Sequence, residues 1–497
     1  MKPITSPSFF IAAACILLSA CAVGPDYQKP EVAKTAYAGD TYKELGDWKP
    51  AQPADAIGRG AWWEIFGDPV LNDLERQVDV SNQSLAQAEA QYRQARATVN
   101  AAHAGYWPTV ATSPGVTRSG RYSNANGGTV SGGSSHAGDT YQFPFTASWE
   151  PDLWGKVRRT VEGNVANAQA SAATLESVRL SLQAELAQNY FQLRIVDEQK
   201  RLLDGTVEAY QKSLQLTQNQ YNVGVAARAD VVQAQTQLKT AQVSAIDSGV
   251  QRAQLEHAIA LLVGKTPDQL SIAPVKLAIV PPAIPLGVPS QLLERRPDVA
   301  AAERQAATAN AQIGVAESAW FPSLTLSANA GYQSSALSNW FTAPSRFWSL
   351  GPQLAQTLFD GGLRSAQTAQ ARAAYDAAVA NYRETALAAF QNVEDNLAAL
   401  RILEKEAVAQ DDALQSAERF LTITTNQYRA GTVSYLNVVS AQTTAYGNER
   451  NAIAILGNRL NDSVALIKAL GGGWSTDELP AAKDISQRDP EQITHAQ

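Results

Sequence analysis

The chain has few of the residues that cross-link a protein or carry out chemistry: its 497 residues include two cysteines, four histidines and one methionine. Cys15 lies in a stretch expected to be removed, so the mature protein has no second thiol to pair with Cys21 and must be held by packing. His103, His136, His257 and His495 are scattered without metal-ligand spacing, and neither a His-Glu-x-x-His pair nor a phosphate-binding loop occurs. No catalytic constellation, metal or cofactor is therefore expected, and the chain is not read as an enzyme. A basic block is also missing: 40 basic and 47 acidic residues give a net charge of −7, which argues against nucleic acid as a partner. Beyond the first twenty residues there is no run of eighteen apolar residues, so any membrane crossing must be made by strands rather than a helix.

What is present begins at the N-terminus. Lys2, an apolar run from Phe9 to Leu18, and then Leu18-Ser19-Ala20-Cys21 have the form of a secretory signal over residues 1–20, too short to span a bilayer. The cysteine directly after the small residues resembles a bacterial lipoprotein box. That implies that Cys21 becomes the first mature residue and carries N-palmitoyl and S-diacylglycerol groups; the alternative is an ordinary cleaved signal with a chance cysteine. Residue 22 is alanine, not the aspartate that retains lipoproteins at the inner membrane, so the implied address is the outer membrane.

The body of the chain is written twice. Gln220-Tyr221-Asn222-Val223-Gly224, running on to Asp230 through Thr236, recurs as Gln427-Tyr428-Arg429-Ala430-Gly431, running on to Asn437 through Thr443, an offset of 207 from Gln220 to Gln427. The offset still holds between Leu262-Val263-Gly264 and Ala469-Leu470-Gly471, and Tyr106-Trp107-Pro108 answers Trp320-Phe321-Pro322. The period is too long for a solenoid and fits a duplicated unit, here 68–273 and 290–474. Each unit reads helix, polar hairpin, very long helix, tight turn, helix. Residues 21–67 form a Pro-, Gly- and Tyr-rich extended lead-in. Residues 274–289, with Pro281-Pro282 and Pro285, form a stiff connector, and 475–497 a polar, weakly specified tail.

In the first unit Asp68-Pro69 starts a helix expected to run to about Gly105. A hairpin follows over about 107–154. From Thr140 to Trp149 the residues alternate: Tyr141, Phe143, Phe145, Ala147 and Trp149 on one side, Thr140, Gln142, Thr146 and Ser148 on the other. Period two over about ten residues is the pattern of a tilted membrane strand. Thr109 to Val116 is its weaker partner, and Ser123 to Asp139 a Gly/Ser/Asn-rich loop. The second hairpin, about 321–362, repeats the design. Leu324, Leu326, Ala328, Ala330 and Tyr332 alternate with Ser323, Thr325, Ser327, Asn329 and Gln333, and Trp348, Leu350, Leu354 and Leu358 with Ser349, Gln353 and Thr357. Trp107, Trp149, Trp154, Trp320, Trp340 and Trp348 sit near strand ends, as an aromatic girdle at a lipid–water boundary would.

After each hairpin the pattern turns helical. Val161, Val165, Ala168, Ala172 and Leu175 keep a 4-3-4-3 spacing, and no proline interrupts Lys156 to Tyr221 or Leu363 to Tyr428. Each stretch predicts a helix roughly 100 Å long, packed as a coiled coil. Their partners are shorter helices, Asp230 to Val263 and Asn437 to Leu470, reached through turns at Gly224 and Gly431. The second unit's opening helix starts near Arg295-Arg296-Pro297-Asp298, where the arginines brace a helix end.

Four strands cannot close a barrel, and an open sheet edge is not tolerated in lipid, so copies of the chain must complete one another. Pattern alone permits eight, twelve or sixteen strands. The chain resembles the outer-membrane factors of tripartite efflux systems, the TolC-like family, in their lipoprotein branch. The match rests on Leu18 to Cys21, Val23-Gly24-Pro25-Asp26-Tyr27, Trp62-Trp63, Arg295 to Val299, Phe359-Asp360-Gly361-Gly362 and Gln427 to Gln442. The resemblance implies an α+β membrane protein, assembling as a homotrimer with a 12-stranded β-barrel continued by a 12-helix coiled-coil tunnel through the periplasm. It implies a periplasmic adaptor and an inner-membrane RND-type pump as partners, and a passive, gated duct for drugs and other toxic small molecules. It places the gate at the periplasmic tip, with Tyr428 and Arg429 beside the turn and Asn437, Ser440 and Thr443 along the facing helix. Where family members often carry an aspartate ring, this chain has Asn437 and Ser440; Asp230, the first-unit counterpart, is the one acid nearby. The alternatives are a type I protein-secretion outlet and a lipid-anchored coiled-coil scaffold with soluble hairpins. These readings differ in one simple respect. With Cys21→Ser the barrel-forming protein is expected to remain in the detergent-extracted fraction, because its strands touch lipid directly; release into a detergent-free wash would favour the scaffold.

Overall fold

The computed structural model describes residues 22–32, 43–45, 61–121, 136–277, 279–282, 284 and 294–486. Cys21, the leader, most of the lead-in, part of the connector and residues 487–497 lie outside the described residues. In chain order the elements are α1 (Pro69–Ser81), α2 (Gln83–His103), β1 (Thr109–Thr112), β2 (Gly115–Arg121), β3 (His136–Trp149), α3 (Lys156–Asn222) and α4 (Arg228–Leu262). They continue with α5 (Pro297–Ser318), β4 (Ser323–Ser334), β5 (Arg346–Ala355), α6 (Leu363–Arg429), α7 (Tyr435–Ala469) and a short α8 (Ala482–Ser486). The duplication survives to the residue: α3 and α6 each have 67 residues, α4 and α7 each have 35, and their bounds keep the 207 offset. The turn glycines Gly224 and Gly431 adopt φ of 79° and 74°, where a Cβ would be strained.

Four sequence expectations are corrected. The first helix is two helices, because Asn82 leaves the helical region and caps α2: its Oδ1 accepts from Leu85 N at 3.0 Å and its Nδ2 donates to Leu262 O at 2.8 Å. The break lets the end of α4 dock there. β3 begins at His136, inside the stretch expected to be loop. β5 ends at Ala355, so Leu358, 90% exposed, lies beyond the strand. The described part of the tail, residues 475–486, is packed on the body, because Ile485 on α8 inserts between Ala95, Val99 and Ala168.

All strand pairings are antiparallel, in the order β1/β2–β3–β4–β5. β1 and β2 hold one continuous register on β3. The interruption between them falls where Pro114 and, across the ladder, Pro144 supply no N–H. The register puts Val110, Val116, Tyr141, Phe143, Phe145, Trp149, Leu326, Ala330, Trp348 and Leu350 on one face. Thr117, Gln142, Thr146, Ser148, Asn329, Gln333, Ser349 and Gln353 fall on the other. The sheet is therefore apolar on one side and polar on the other, and among the described residues its outer strands, β1/β2 and β5, have no further strand beside them.

The helices repeat that order: α2 packs on α3, α3 on α5 and α5 on α6, while α4 lies against α3 and α7 against α6 and α3. α3 is thus the hub and is buried nearly all round between Gln183 and Asp197. The main core joins Leu71, Leu186, Tyr190, Ile259, Val299, Tyr382 and Val464 from six helices. Tyr190 donates its hydroxyl to Asp68 Oδ2 at 2.6 Å, tying α3 to the residue that caps α1. Behind α4, Arg252 pairs with buried Asp197 at 2.7 Å, and Arg194 donates to Ala273 O at 2.7 Å, which fixes the chain leading into the connector.

The Val23 to Tyr27 segment lies in the groove between α3 and α5. Arg159, itself buried, donates to Val23 O and Gly24 O and pairs with Asp26 at 2.9 Å; Asn310 Nδ2 donates to Pro25 O; and the Tyr27 hydroxyl donates to Glu303. Gly24 crosses Gly314 so closely that a Cβ on it would stand 2.4 Å from Gly314 Cα. Gly24, Asp26 and Tyr27 of that motif thus each have a contact that explains their type.

Several buried polar atoms among the described residues lack a hydrogen-bond partner, and in Glu75 both side-chain oxygens do. Glu75 on α1 is fully buried, and neither of its carboxylate oxygens meets a hydrogen-bond donor. Burial, and secondarily the nearby Asp79 carboxylate, push its pKa well above the ordinary 4.5, so the folded chain holds that proton to higher pH than the unfolded chain does. An acid that binds its proton more tightly when folded loses stabilisation as pH rises above its unfolded value. Glu75→Gln should therefore gain in Tm over the parent as pH is raised from 5 to 8; a gap that stays constant across that range would show that Glu75 does not titrate there.

Candidate functional site

The two helix–turn–helix tips lie at the end of the helices away from the sheet, and they differ. In the second unit Tyr428, at the foot of α6, points inward. It is 5% exposed, and its hydroxyl donates to Thr217 Oγ1 of α3 at 3.2 Å. Its ring lies 5.5 Å from that of Tyr435, the first residue of α7, whose hydroxyl accepts from Ser213 at 3.4 Å. Ala234, Val438 and Val439 complete this cluster, with Leu214, Leu216 and Val433 against it. Burial raises the pKa of both tyrosines, with Asp230 adding a smaller push, so both stay neutral hydroxyls. The first-unit counterparts do the opposite: Tyr221 is 40% exposed and Arg228 stands exposed where Tyr435 is buried.

The other expected tip residues fall into two groups. Arg429, Asn437, Ser440 and Thr443 are exposed, the last three spaced three residues apart along α7 beside exposed Leu436. Arg429 reaches Asn426 Oδ1 at 3.5 Å. Asp230 is half-buried and its Oδ2 accepts from Ala227 N at 3.2 Å, so it closes the start of α4. The structure thus separates Tyr428 and Asp230, used within the protomer, from exposed Arg429, Asn437 and Ser440, while Thr443, though exposed, bonds to Tyr210 of α3. Sequence reasoning missed Thr217, Ser213 and Tyr435. The signal available was the broken repeat, Tyr435 against Arg228.

Of the girdle tryptophans, Trp107, Trp149, Trp154 and Trp320 gather at the junction of sheet and helices. Trp149 Nε1 donates to Tyr106 O at 3.0 Å, Trp154 Nε1 to Pro322 O at 2.7 Å, and Trp320 Nε1 to Thr368 Oγ1 at 3.2 Å. Trp154 stacks on Phe321 at 4.8 Å, and Trp107 stands 71% exposed beside them. Trp348 lies higher on the apolar face, opposite Ala330. Farther up, Trp340 and Phe341 stack on each other and fold back onto Tyr141, Phe143 and Tyr332. Aromatics therefore mark both ends of the apolar band. Among the described residues no helix is long and apolar enough to cross a membrane, and no group of His, Cys, Asp or Glu could hold a metal ion.

Comparison with known proteins gives one consistent result. The family model described as outer membrane efflux protein matches residues 74–265 and 288–472. The probable efflux pump outer membrane protein TtgC of Pseudomonas putida is 30% identical over 485 residues, covering 97% of this chain and 98% of that protein. The pyoverdine export outer membrane protein OpmQ of Pseudomonas aeruginosa is 30% identical over 476 residues, 95% of this chain and 98% of that protein. Among solved structures, the outer-membrane channel OprN superposes with a TM-score of 0.81 at 29% identity, covering 91% of this chain and 100% of that one.

The asymmetry of the tips has a measurable consequence. Removing the Tyr428 ring takes away a buried aromatic and its hydroxyl bond. Tyr428→Ala is therefore expected to speed amide exchange across Gln427–Val433 by at least about tenfold, and Tyr221→Ala to leave the first-unit turn unchanged. Equal effects at the two turns would refute the inward packing of the second tip.

Proposed function

Since the chain belongs to the outer membrane efflux protein family, we propose that three copies of it form the outer-membrane exit duct of a tripartite efflux pump. The observation that carries the assembly is the coincidence of free edges. The sheet ends in β1/β2 on one side and β5 on the other, and the helix layer beneath ends in α2 and α6 on those same sides. An unpaired strand edge in hydrocarbon leaves its N–H and C=O groups without partners at a cost of several kcal/mol each. Pairing β5 of one copy with β1/β2 of the next, and α6 with α2 below, would remove both edges at once. Three copies give twelve strands. They also give twelve helices at each level: α2, α3, α5 and α6 beneath the sheet, and α3, α4, α6 and α7 towards the tips. A ring of constant helix number suits a tunnel.

In this reading the apolar sheet face meets lipid, the polar face lines the pore, and Cys21 carries the acyl anchor. The duct itself is passive; the inner-membrane RND-type pump supplies the energy and a periplasmic adaptor joins the two. Relatives of comparable identity are named for toluene efflux and for pyoverdine export, which supports small molecules as cargo over folded proteins. The gate lies at the tips. Tyr428 and Tyr435 hold the second-unit tip against α3, Asp230 caps α4, Thr443 bonds to Tyr210 of α3, and Arg429, Asn437 and Ser440 face the axis. With no acid among these, the constriction is closed by packing and neutral hydrogen bonds, without a cation-binding ring.

The purified full-length protein is expected to have a trimer's mass in mild detergent and to open discrete pores in planar lipid films. Hexamminecobalt(III) on the tip side is expected to leave the current unblocked at nanomolar concentration. A monomer that forms no pores would overturn the duct; nanomolar block would overturn the neutral gate alone.

A further inference from the structure

We propose that the groove between α5 and α6, directly beneath the sheet, is a binding site for the headgroup of a zwitterionic phospholipid. The proposal rests on the membrane orientation argued above and adds a ligand to it. The groove holds about 840 Å³ and is lined by Glu317, Trp320, Phe321, Thr368, Arg372 and Asp376. It opens beside Val23, whose N–H is held by Trp154 O at 3.1 Å. Its upper wall is the aromatic layer at the sheet–helix junction: Trp320, bonded to Thr368, and Phe321, stacked on Trp154. Indole and phenyl rings at that level mark the depth where acyl chains give way to headgroups.

Below the rings the charges run in a definite order along one face of α6. Thr368 comes first, then Arg372 one turn lower, then Asp376 one turn lower again. Arg372 gives one nitrogen to Glu317 Oε1 at 2.8 Å, but its side chain is 65% exposed, which leaves further N–H groups of the five for another oxygen. Asp376 is exposed and makes no ion pair among the described residues. The cation is therefore nearer the bilayer and the free anion about 6 Å farther from it. A phosphatidylethanolamine headgroup has the complementary order, phosphate towards the tails and ammonium towards water. Its phosphate meets the Arg372 guanidinium in a charge-assisted contact, its ammonium meets Asp376, and its acyl chains rise past Trp320 and Phe321 onto the apolar sheet face. An anionic headgroup without an amine, such as phosphatidylglycerol, satisfies Arg372 and leaves Asp376 facing a negative neighbour.

The test uses full-length protein in nanodiscs containing equal amounts of phosphatidylethanolamine and phosphatidylglycerol with identical acyl chains. A photoreactive benzoylphenylalanine replaces Ala373, which lines the groove, or Ala377, exposed one turn beyond it. Mass spectrometry of the crosslinked peptide is expected to show the ethanolamine lipid on Ala373 in about tenfold excess over the glycerol lipid, with little lipid on Ala377. Adding Asp376→Ala, which removes no contact within the fold, should abolish the excess while phospholipid still crosslinks. Adding Arg372→Ala should reduce labelling by both lipids. Equal labelling by the two lipids, equal labelling at the two positions, or crosslinks to a second copy of the chain instead of lipid would each overturn the site. Conductance of the same preparation separates the two readings: pores with no headgroup preference defeat the site alone, whereas protein that never inserts defeats the duct and the site together.

Discussion

Every backbone N–H and C=O inside a bilayer must find a partner in protein, and that requirement governs this chain more than any single contact does. The protomer meets it only in part. Among the described residues β3 and β4 are paired on both sides, whereas β1/β2 and β5 each offer one bare edge. An isolated copy with these edges in hydrocarbon would be unstable, and a copy in water would expose the apolar face that carries Phe145, Trp348, Leu350 and Leu354. The same constraint accounts for the placement of the prolines. Pro114, on the edge strand, and Pro144 fall together, so one interruption of the ladder serves both, and the Thr112 hydroxyl bonds to Pro144 O beside it at 2.8 Å.

Duplication supplies two similar units, but packing makes them unequal. α3 lies between α2, α4, α5 and α7 and is a core helix over much of its length, while α6 has α5 and α7 on one side and open surface on the other. Two helices of the same length and offset thus do different work: one holds the protomer together and the other ends it. The inequality reaches the tips. The α6–α7 turn leans on α3 through Tyr428 and Tyr435, whereas Tyr221, Val223 and Val225 at the α3–α4 turn stand exposed.

Much of this was legible in the sequence because periodicity carried it. The 207-residue offset placed both long helices and both turns within a residue or two of their observed ends, and strict alternation assigned the two faces of β3 and β4. What stayed hidden depended on contacts distant in sequence. Asn82 reads as an ordinary helix residue until Leu262 O is seen to take its amide, which makes a helix break there favourable. Ile485 sits in a polar tail, and its burial depends on α2 and α3 from the other end of the chain. His136 to Asp139 have poor strand propensity and are strand because Arg118 to Arg121 pair with them. At the tips, Tyr428 could be found from its motif, whereas Thr217 and Ser213 are unremarkable helix residues until α7 packs against them.

The chemistry of the second tip limits how firmly it can be held. A neutral hydroxyl bond contributes about 1 kcal/mol net, because water competes for both partners, and Tyr428 and Tyr435 make one such bond each. Their rings add apolar burial, so the packed arrangement is favoured by a few kcal/mol per copy at most. A buried carboxylate–guanidinium pair in the same place would resist opening more strongly, since separating it strands a charge at a cost of about 3–5 kcal/mol. It would also make opening depend on pH through the carboxylate. Tyrosine hydroxyls, held neutral by burial, titrate far above physiological pH and are screened little by salt. A tip built this way rests on α3 through a hold of a few kcal/mol that does not depend on the acidity of the surroundings.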